Sequence, residues 1–442
     1  MYDASIFADR RKRLMEKMNP NSIAIIPAAP EARYSNDTDY RYRPDSDLYY
    51  LTGFKEPGAC AIISTAHDKA PFKLFVRPRD KAMEIWNGYR AGTDGALETY
   101  RADEAFINSE LFERLGGYME DRDTIYFFPG RYPDWDSKIL GLWQKTKLKW
   151  RNGIDTPKYA CDLAHLLHEI RLIKTPHEIA LMRDACRISA EAHELAIRTV
   201  KPGMSEKDIQ ALIEHYFLSA GADGPGFATI CASGTDACIL HYISNEKDLV
   251  DGDLLCVDAG CEYQMFNGDI TRTYPINGKF TAEQRAVYDV VLAANKEIIE
   301  KTVVGSNPHE MQELAIRILT EGAKDLGLIE MSVDEAIEKE EFKKFYMHRI
   351  GHWLGMDVHD VGSSRSNGTW RNYENGMIVT VEPGIYVPID DDAFPANFKG
   401  IGVRVEDDIL ITDDGPENLT SMCPKEAGEL EELIGSKSSV TT

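Results

Sequence analysis

The chain has 442 residues, 43% hydrophobic and 28% charged, the balance of a globular protein long enough for up to about three domains. Lys and Arg total 50 against 73 Asp and Glu, and the net charge of −23 repels phosphate backbones and anionic lipid, so neither nucleic acid nor a membrane surface is expected as partner. No run of about 18 apolar residues exists and no apolar segment follows the basic N-terminus, so neither a membrane span nor a signal peptide is expected. Eight cysteines scattered without C-x-x-C pairs read as free thiols of a reducing, cytoplasmic compartment.

Short apolar runs at 22–28, 59–64, 72–76 and 124–128 are β-branched or aromatic and bounded by Gly, Pro or Asp, and are expected as buried strands. Between the last two, Glu104, Leu111 and Leu115 fall at helical intervals and predict a helix over 103–119. This alternation predicts an α/β module with a mixed sheet. From Asp162 the pattern changes. Leu163, Leu166, Leu167 and Ile170 form an amphipathic stripe. Thr175-Pro176 with Glu178 opens the next helix as a capping box, and Ser205 with Asp208 opens another. The first of these turns divides the chain into domains 1–174 and 175–435, with a polar, flexible tail at 436–442. Helices at about 281–302 and 307–326 lie among strands at 254–259, 265–275, 377–385 and 402–411. Two helix-then-strand blocks, at about 176–276 and 281–411, suggest an internal duplication.

Acids and histidines recur in the second domain where polar core residues are costly. Leu254-Leu255-Cys256-Val257 runs into Asp258, and Asp269, Thr271 and Thr273 share one face of the following strand. The eleven-residue spacing of Asp258 and Asp269 fits neighbouring strands joined by a turn near 263–266. Val379-Thr380-Val381 ends in Glu382-Pro383-Gly384, which stops the strand and aims the carboxylate outward. Val403 and Val405 point one way, so Arg404 and Glu406 point the other. His348, His352 and His359 cluster beside glycines between the second and third of these segments.

Taken singly, each feature has an ordinary reading: a turn-forming Asp, a Glu-Pro-Gly turn, a hydrogen-bonded core histidine, and Asp407 with Asp408 as solvated strand-end acids. If the four carboxylates meet, the balance changes. At about 4 Å and an effective dielectric near 20, each pair repels by roughly 4 kcal/mol, or roughly 24 kcal/mol over six pairs. A marginally stable fold cannot carry that load, so protons or cations must neutralise the cluster. Four carboxylates with one neutral imidazole carry the charge that two divalent ions cancel.

These segments resemble a known family, the metallopeptidases of the pita-bread fold (peptidase family M24), and within it the bacterial aminopeptidase P (Xaa-Pro aminopeptidase) branch. VDAG, GDITRTYPINGKF, HWLGMDVHDVG, VEPGIY and GVRVEDD carry the resemblance, with YRYRPDSDLYYLTGF and EIWNGYRAG in the N-terminal part. It spans nearly the whole chain. It implies an α/β (α+β) fold: a creatinase-like N-terminal α/β domain, then a catalytic pita-bread domain with a curved antiparallel sheet and a pseudo-twofold repeat. It implies that Asp258, Asp269, His352, Glu382 and Glu406 hold two divalent metal ions, with Asp269 and Glu406 bridging them. Oxygen-rich ligation with one imidazole suits Mn2+, as the resemblance also implies, while Co2+, Zn2+ and Fe2+ stay open.

The implied activity is hydrolysis that releases the first residue from peptides with a free N-terminus and proline at position two, through a hydroxide shared by the two ions. Glu382 is implied as a proton shuttle, and His359 and His241 as imidazoles that bind the substrate carbonyl and steady the tetrahedral intermediate. His348 and Arg404 are implied to orient ligands and substrate, and Asp37 and Trp86 to complete the substrate site. For His241 and His348 a structural role stays open, and for Trp86 that of a buried aromatic. A homo-oligomer, tetramer or dimer, is also implied. Two other readings share the fold: a prolidase that cuts only Xaa-Pro dipeptides, and a non-catalytic peptide-binding protein. The prolidase shares all five ligands, whereas the binding protein would have lost some.

Overall fold

The computed structural model describes residues 3–66 and 69–436, so all of the expected tail except Ser436 lies outside the described residues. The chain forms two compact units, residues 1–170 and 171–442. This division falls just ahead of the Thr175-Pro176 turn because Arg171 and Lys174 are bound into the second unit. Both are buried, and they meet the buried Asp360 at 2.7 and 3.0 Å.

The first unit is built on one six-stranded mixed sheet. Its spatial order is Glu104–Ile107, Phe72–Val76, Cys60–Ser64, Ser22–Pro27, Thr124–Phe127 and Tyr159–Asp162. Cys60–Ser64 runs antiparallel to both neighbours, and the remaining pairs are parallel. Ile23, Ile25, Ile62, Phe75 and Ile125 pack against Leu111, Leu115 and Met119 of helix Leu111–Met119. The helix expected over 103–119 is therefore only its second half. Its first part, Glu104–Ile107, is an edge strand parallel to Phe72–Val76. Asp103 starts that pairing: its N–H donates to the Phe72 carbonyl and its carboxylate accepts from the Phe72 N–H at 2.8 Å. Pairing with a waiting sheet edge overrides the helical spacing of Glu104 and Leu111.

In the second unit the capping signals hold. The Thr175 hydroxyl accepts from the Glu178 N–H while the Glu178 carboxylate accepts from the Thr175 N–H, and Ser205 and Asp208 do the same. Helices Pro176–Thr199 and Glu206–Ser219 precede a three-stranded antiparallel sheet of Ile230–Ser233, Leu254–Asp258 and Thr271–Pro275. Helices Ala282–Lys301 and Pro308–Asp325 then precede a second three-stranded antiparallel sheet, Ile378–Val381, Asp407–Thr412 and Gly415–Asn418. The element order thus repeats, as the duplicated blocks suggest. Ile188, Val257, Val291, Ile298, Val379 and Ile409 belong to one core shared by both halves. All eight cysteines are unpaired, and no described helix is long and apolar enough to cross a membrane.

Asp407 and Asp408 are not solvated acids, contrary to the sequence reading. They open Asp407–Thr412, the central strand of the second sheet, where Val381 pairs with Asp407 and Thr380 with Asp408. Neither has any solvent exposure. Asp407 meets the equally buried Arg272 at 2.8 Å and Lys425 at 2.6 Å, and accepts from the Thr420 hydroxyl at 2.8 Å. Burial alone pushes its carboxyl up, but Arg272 and Lys425 outweigh burial and hold it below the usual carboxylate range. Arg272→Met leaves a buried acid short of its main partner. It should lower unfolding free energy by about 3–5 kcal/mol, read as a fall in the urea midpoint at unchanged slope; an unmoved midpoint contradicts the assignment.

Candidate metal centre

The strands expected to be continuous are interrupted at their acids. Leu254–Asp258 is buried through Val257 and ends at Asp258, whose register partner across the ladder is Thr271. The strand expected over 265–275 is two pieces, Phe266–Asn267 and Thr271–Pro275, with Asp269 in the gap. A tight hairpin precedes the gap, with Gln264 and Met265 both at positive φ. Gly260 is required there, because a Cβ would lie 1.7 Å from the Gly268 carbonyl oxygen. Glu382 sits between Ile378–Val381 and Gly384–Tyr386, and Glu406 between Gly402–Arg404 and Asp407–Thr412. Leaving the ladder releases Asp269, Glu382 and Glu406 from strict alternation, and they turn toward the point that Asp258 faces from the end of its strand.

That point is a cavity of about 520 Å³. It brings together Asp258, Asp269, His352, Glu382, Glu406, His348, His359, His241 and Arg404. Ligand atoms of Asp269, His352 and Glu406 lie within 4.8 Å of one another. His352 Nε2 is 3.5 Å from Asp269 Oδ2 and 3.7 Å from Glu382 Oε1. Its Nδ1 lies 3.0 Å from the Trp353 carbonyl, so an N–H there donates outward and leaves the Nε2 lone pair facing the acids.

Arg404 organises one wall. Its Nη2 donates to Asp258 Oδ2 at 2.7 Å, its Nε to the Thr271 hydroxyl at 3.0 Å, and its Nη1 to the Tyr386 hydroxyl at 3.1 Å. Thr271 in turn donates to Glu406 Oε2 at 2.6 Å. The Tyr386 hydroxyl lies 2.9 Å from His348 Nε2, and His348 Nδ1 is 3.7 Å from Glu382. From behind, the Asp408 carboxylate accepts from the Asp269 N–H at 2.9 Å. Sequence reasoning missed Tyr386, Asp408 and Thr380, whose hydroxyl accepts from the His352 N–H at 3.1 Å, as parts of this arrangement. The signal available for Tyr386 was its place two residues after Gly384, facing the same way as that short strand's entry; nothing in the sequence marked Asp408 as buried. It missed the apolar wall as well, formed by Phe227, Ile230, Leu240, Ile243 and Val358.

The electrostatics agree with the crowding. Burial first, then the neighbouring acids, pushes Asp269 and Glu406 well above the usual carboxylate range. Burial pushes Glu382 up to about 7, although His352 and Arg404 pull the other way. Burial, with Arg404 nearby, lowers His348 to about 4, and burial with His352 and His241 also lowers His359. The His352 and His359 rings stand edge to face, 4.3 Å apart. Asp258 Oδ1 is buried with no hydrogen-bond partner among the described residues. An orphaned carboxylate oxygen beside acids that resist ionisation fits a cation-binding site, and the donor set is oxygen-rich with one imidazole. Asp37 and Trp86 lie in the first unit. Both are exposed, Trp86 to 83%, which removes the reading of a buried aromatic.

Residues 180–413 match the model of metallopeptidase family M24, and residues 7–126 match that of the aminopeptidase P N-terminal domain. The chain is 41% identical to the Xaa-Pro aminopeptidase of Escherichia coli and 40% to that of Haemophilus influenzae, over 97% of this chain and 97% and 96% of those proteins. It is also similar to the solved structure of the aminopeptidase PepP of Pseudomonas aeruginosa, with a TM-score of 0.95, 45% identity and 98% of each chain covered. The proline aminopeptidase P II of Yersinia pestis gives a TM-score of 0.93 at 42% identity, over 98% of this chain and 99% of that one.

In metal-free protein the folded state holds the Glu382 proton more tightly than the unfolded chain, whose carboxyl has the ordinary value of 4.5. Stability contributed by that group is present at low pH and is lost as pH rises from about 4.5 through about 7. Glu382→Gln should flatten that decline by up to about 3 kcal/mol across the window. Urea midpoints of both proteins against pH check this, and equal slopes contradict it.

Proposed function

The chain belongs to metallopeptidase family M24, and on that premise we propose that it is a Xaa-Pro aminopeptidase whose centre holds two divalent cations. It is a hydrolase that releases the first residue of peptides with proline at position two. The observation that carries this reading is the meeting of four carboxylates with His352 in a single cavity, on a chain that matches Xaa-Pro aminopeptidases almost end to end.

Asp258, Asp269, His352, Glu382 and Glu406 are the residues that would hold the ions. The oxygen-rich donor set favours Mn2+. When bound, the ions acidify a water and polarise the scissile carbonyl. The chain's own residues do the rest. Glu382 takes a proton from the attacking water on a carboxylate oxygen and hands it to the departing proline nitrogen. His359 and His241 donate hydrogen bonds to the substrate carbonyl and to the oxyanion that develops there. Arg404 holds Asp258 directly and Glu406 through Thr271, and His348, held between the Tyr386 hydroxyl and the Arg349 carbonyl, stands beside Glu382. A bond to proline has no N–H, so this site must grip the carbonyl and the free amine instead. The eight unpaired thiols support a reducing, cytoplasmic setting. A homo-oligomer, tetramer or dimer, completes the reading.

Offered Xaa-Pro-Yaa-Zaa and Xaa-Pro peptides side by side, the enzyme should release free Xaa from the longer peptide. Rapid turnover of the dipeptide alone would make it a prolidase instead. Glu382→Ala should lower kcat by roughly 10²–10⁴-fold. Calorimetric titration of chelated protein with Mn2+ should find two ions per chain, reduced by Asp269→Asn. Undiminished hydrolysis in Glu382→Ala, or no metal uptake, contradicts the assignment.

A further inference from the structure

Glu206, the first residue of helix Glu206–Ser219, is completely buried. Both its oxygens are saturated. One accepts from the Ser233 N–H at 2.8 Å and the Ser233 hydroxyl at 2.7 Å. The other accepts from the Tyr242 hydroxyl at 2.8 Å and the Lys247 N–H at 3.0 Å. The Glu206 N–H donates to the Lys247 carbonyl at 2.9 Å. A carboxylate is kept out of water only where donors converge on it in this way.

Those donors come from the two limbs of one loop. Ser233 closes strand Ile230–Ser233, while Tyr242 and Lys247 lie on the returning limb. Between them stand Leu240, His241 and Ile243, which line the metal-centre cavity. The limbs are tied twice more. Lys247 Nζ meets Asp236 at 2.6 Å. Asn245, buried and at a φ of 48°, accepts from the Cys231 N–H at 2.9 Å and donates to Thr229 and to Gln210 of the same helix. His241 itself is exposed, so the loop backbone sets where its imidazole stands.

We infer that Glu206 is a positioning residue for the reaction: by clamping both limbs of the 233–247 loop it holds His241 and the apolar wall against the substrate carbonyl. The inference rests on the peptidase reading, which gives His241 its role. A glutamine cannot replace this acid, because it offers one acceptor oxygen and one NH2 group. Whichever way the amide turns, a backbone N–H of Ser233 or of Lys247 then faces an N–H.

The test is a mutant cycle on the metal-loaded enzyme with a Xaa-Pro-Yaa peptide, using Glu206→Gln, His241→Ala, the double variant and Tyr242→Phe. Glu206→Gln should lower kcat/KM by roughly ten- to a hundred-fold with metal content per chain unchanged, and Tyr242→Phe by less. In the His241→Ala background Glu206→Gln should cost less than about twofold, since the two residues act as one unit. Amide hydrogen exchange over 234–247 should quicken in Glu206→Gln. Losses that multiply in the double variant, or wild-type kinetics and exchange in both Glu206→Gln and Tyr242→Phe, overturn the inference. If Glu206→Gln does not fold, the cycle of Tyr242→Phe with His241→Ala carries the same test. A wild-type enzyme inert on every Xaa-Pro peptide would instead sink the peptidase reading, and the exchange measurement would then decide the clamp alone.

Discussion

Carboxylates held against one another away from water repel, and the second unit is arranged around that repulsion. Asp269, Glu382 and Glu406 all resist ionisation, and burial is the leading cause in each. Arg404 answers part of the charge through Asp258, but one guanidinium does not balance four acids. Protons answer the rest in the metal-free protein, and a metal ion held at the same site would displace them. A structure that concentrates this much unfavourable charge must be stable elsewhere, and the core shared by the two halves of the unit supplies that stability.

The polar scaffold behind the acids matters as much as the acids themselves. Thr271 links Arg404 to Glu406, Tyr386 links Arg404 to His348, and Thr380 exchanges hydrogen bonds with His352. Asp408 stands one layer deeper. It accepts from the Asp269 N–H and from the Cys186 thiol, and burial raises it to about 7 despite those donors. Its neighbour Asp407 faces the opposite way, onto Arg272 and Lys425, and is held low. Adjacent acids on one strand thus live in opposite electrostatic settings because successive side chains point to opposite faces.

Much of this was legible in residue patterns. The capping boxes at Thr175 and Ser205, the apolar strands ending in acids, and the opposed faces of Val403 and Arg404 are local, and local signals survive folding. The failures share one cause, which is pairing with distant segments. Glu104–Ile107 reads as helix until the edge of Phe72–Val76 is there to receive it. Asp407 and Asp408 read as surface acids until Gly415–Asn418 pairs on their strand's far side and makes that strand central. The break at Glu382 was legible from Pro383-Gly384, whereas those at Asp269 and Glu406 fell inside runs that read as continuous strands. The sequence analysis did not single out Glu206, and only the returning loop shows what it holds.

The central claim is that five side chains from separate segments surround a pair of cations. Anomalous diffraction at the manganese edge, from crystals grown in Mn2+, addresses it most directly. The account predicts two peaks roughly 3.5–4 Å apart, with oxygens of Asp269 and Glu406 reaching both and Asp258, His352 and Glu382 completing the shells. A cavity with no anomalous peak, or peaks coordinated by other residues, would contradict it.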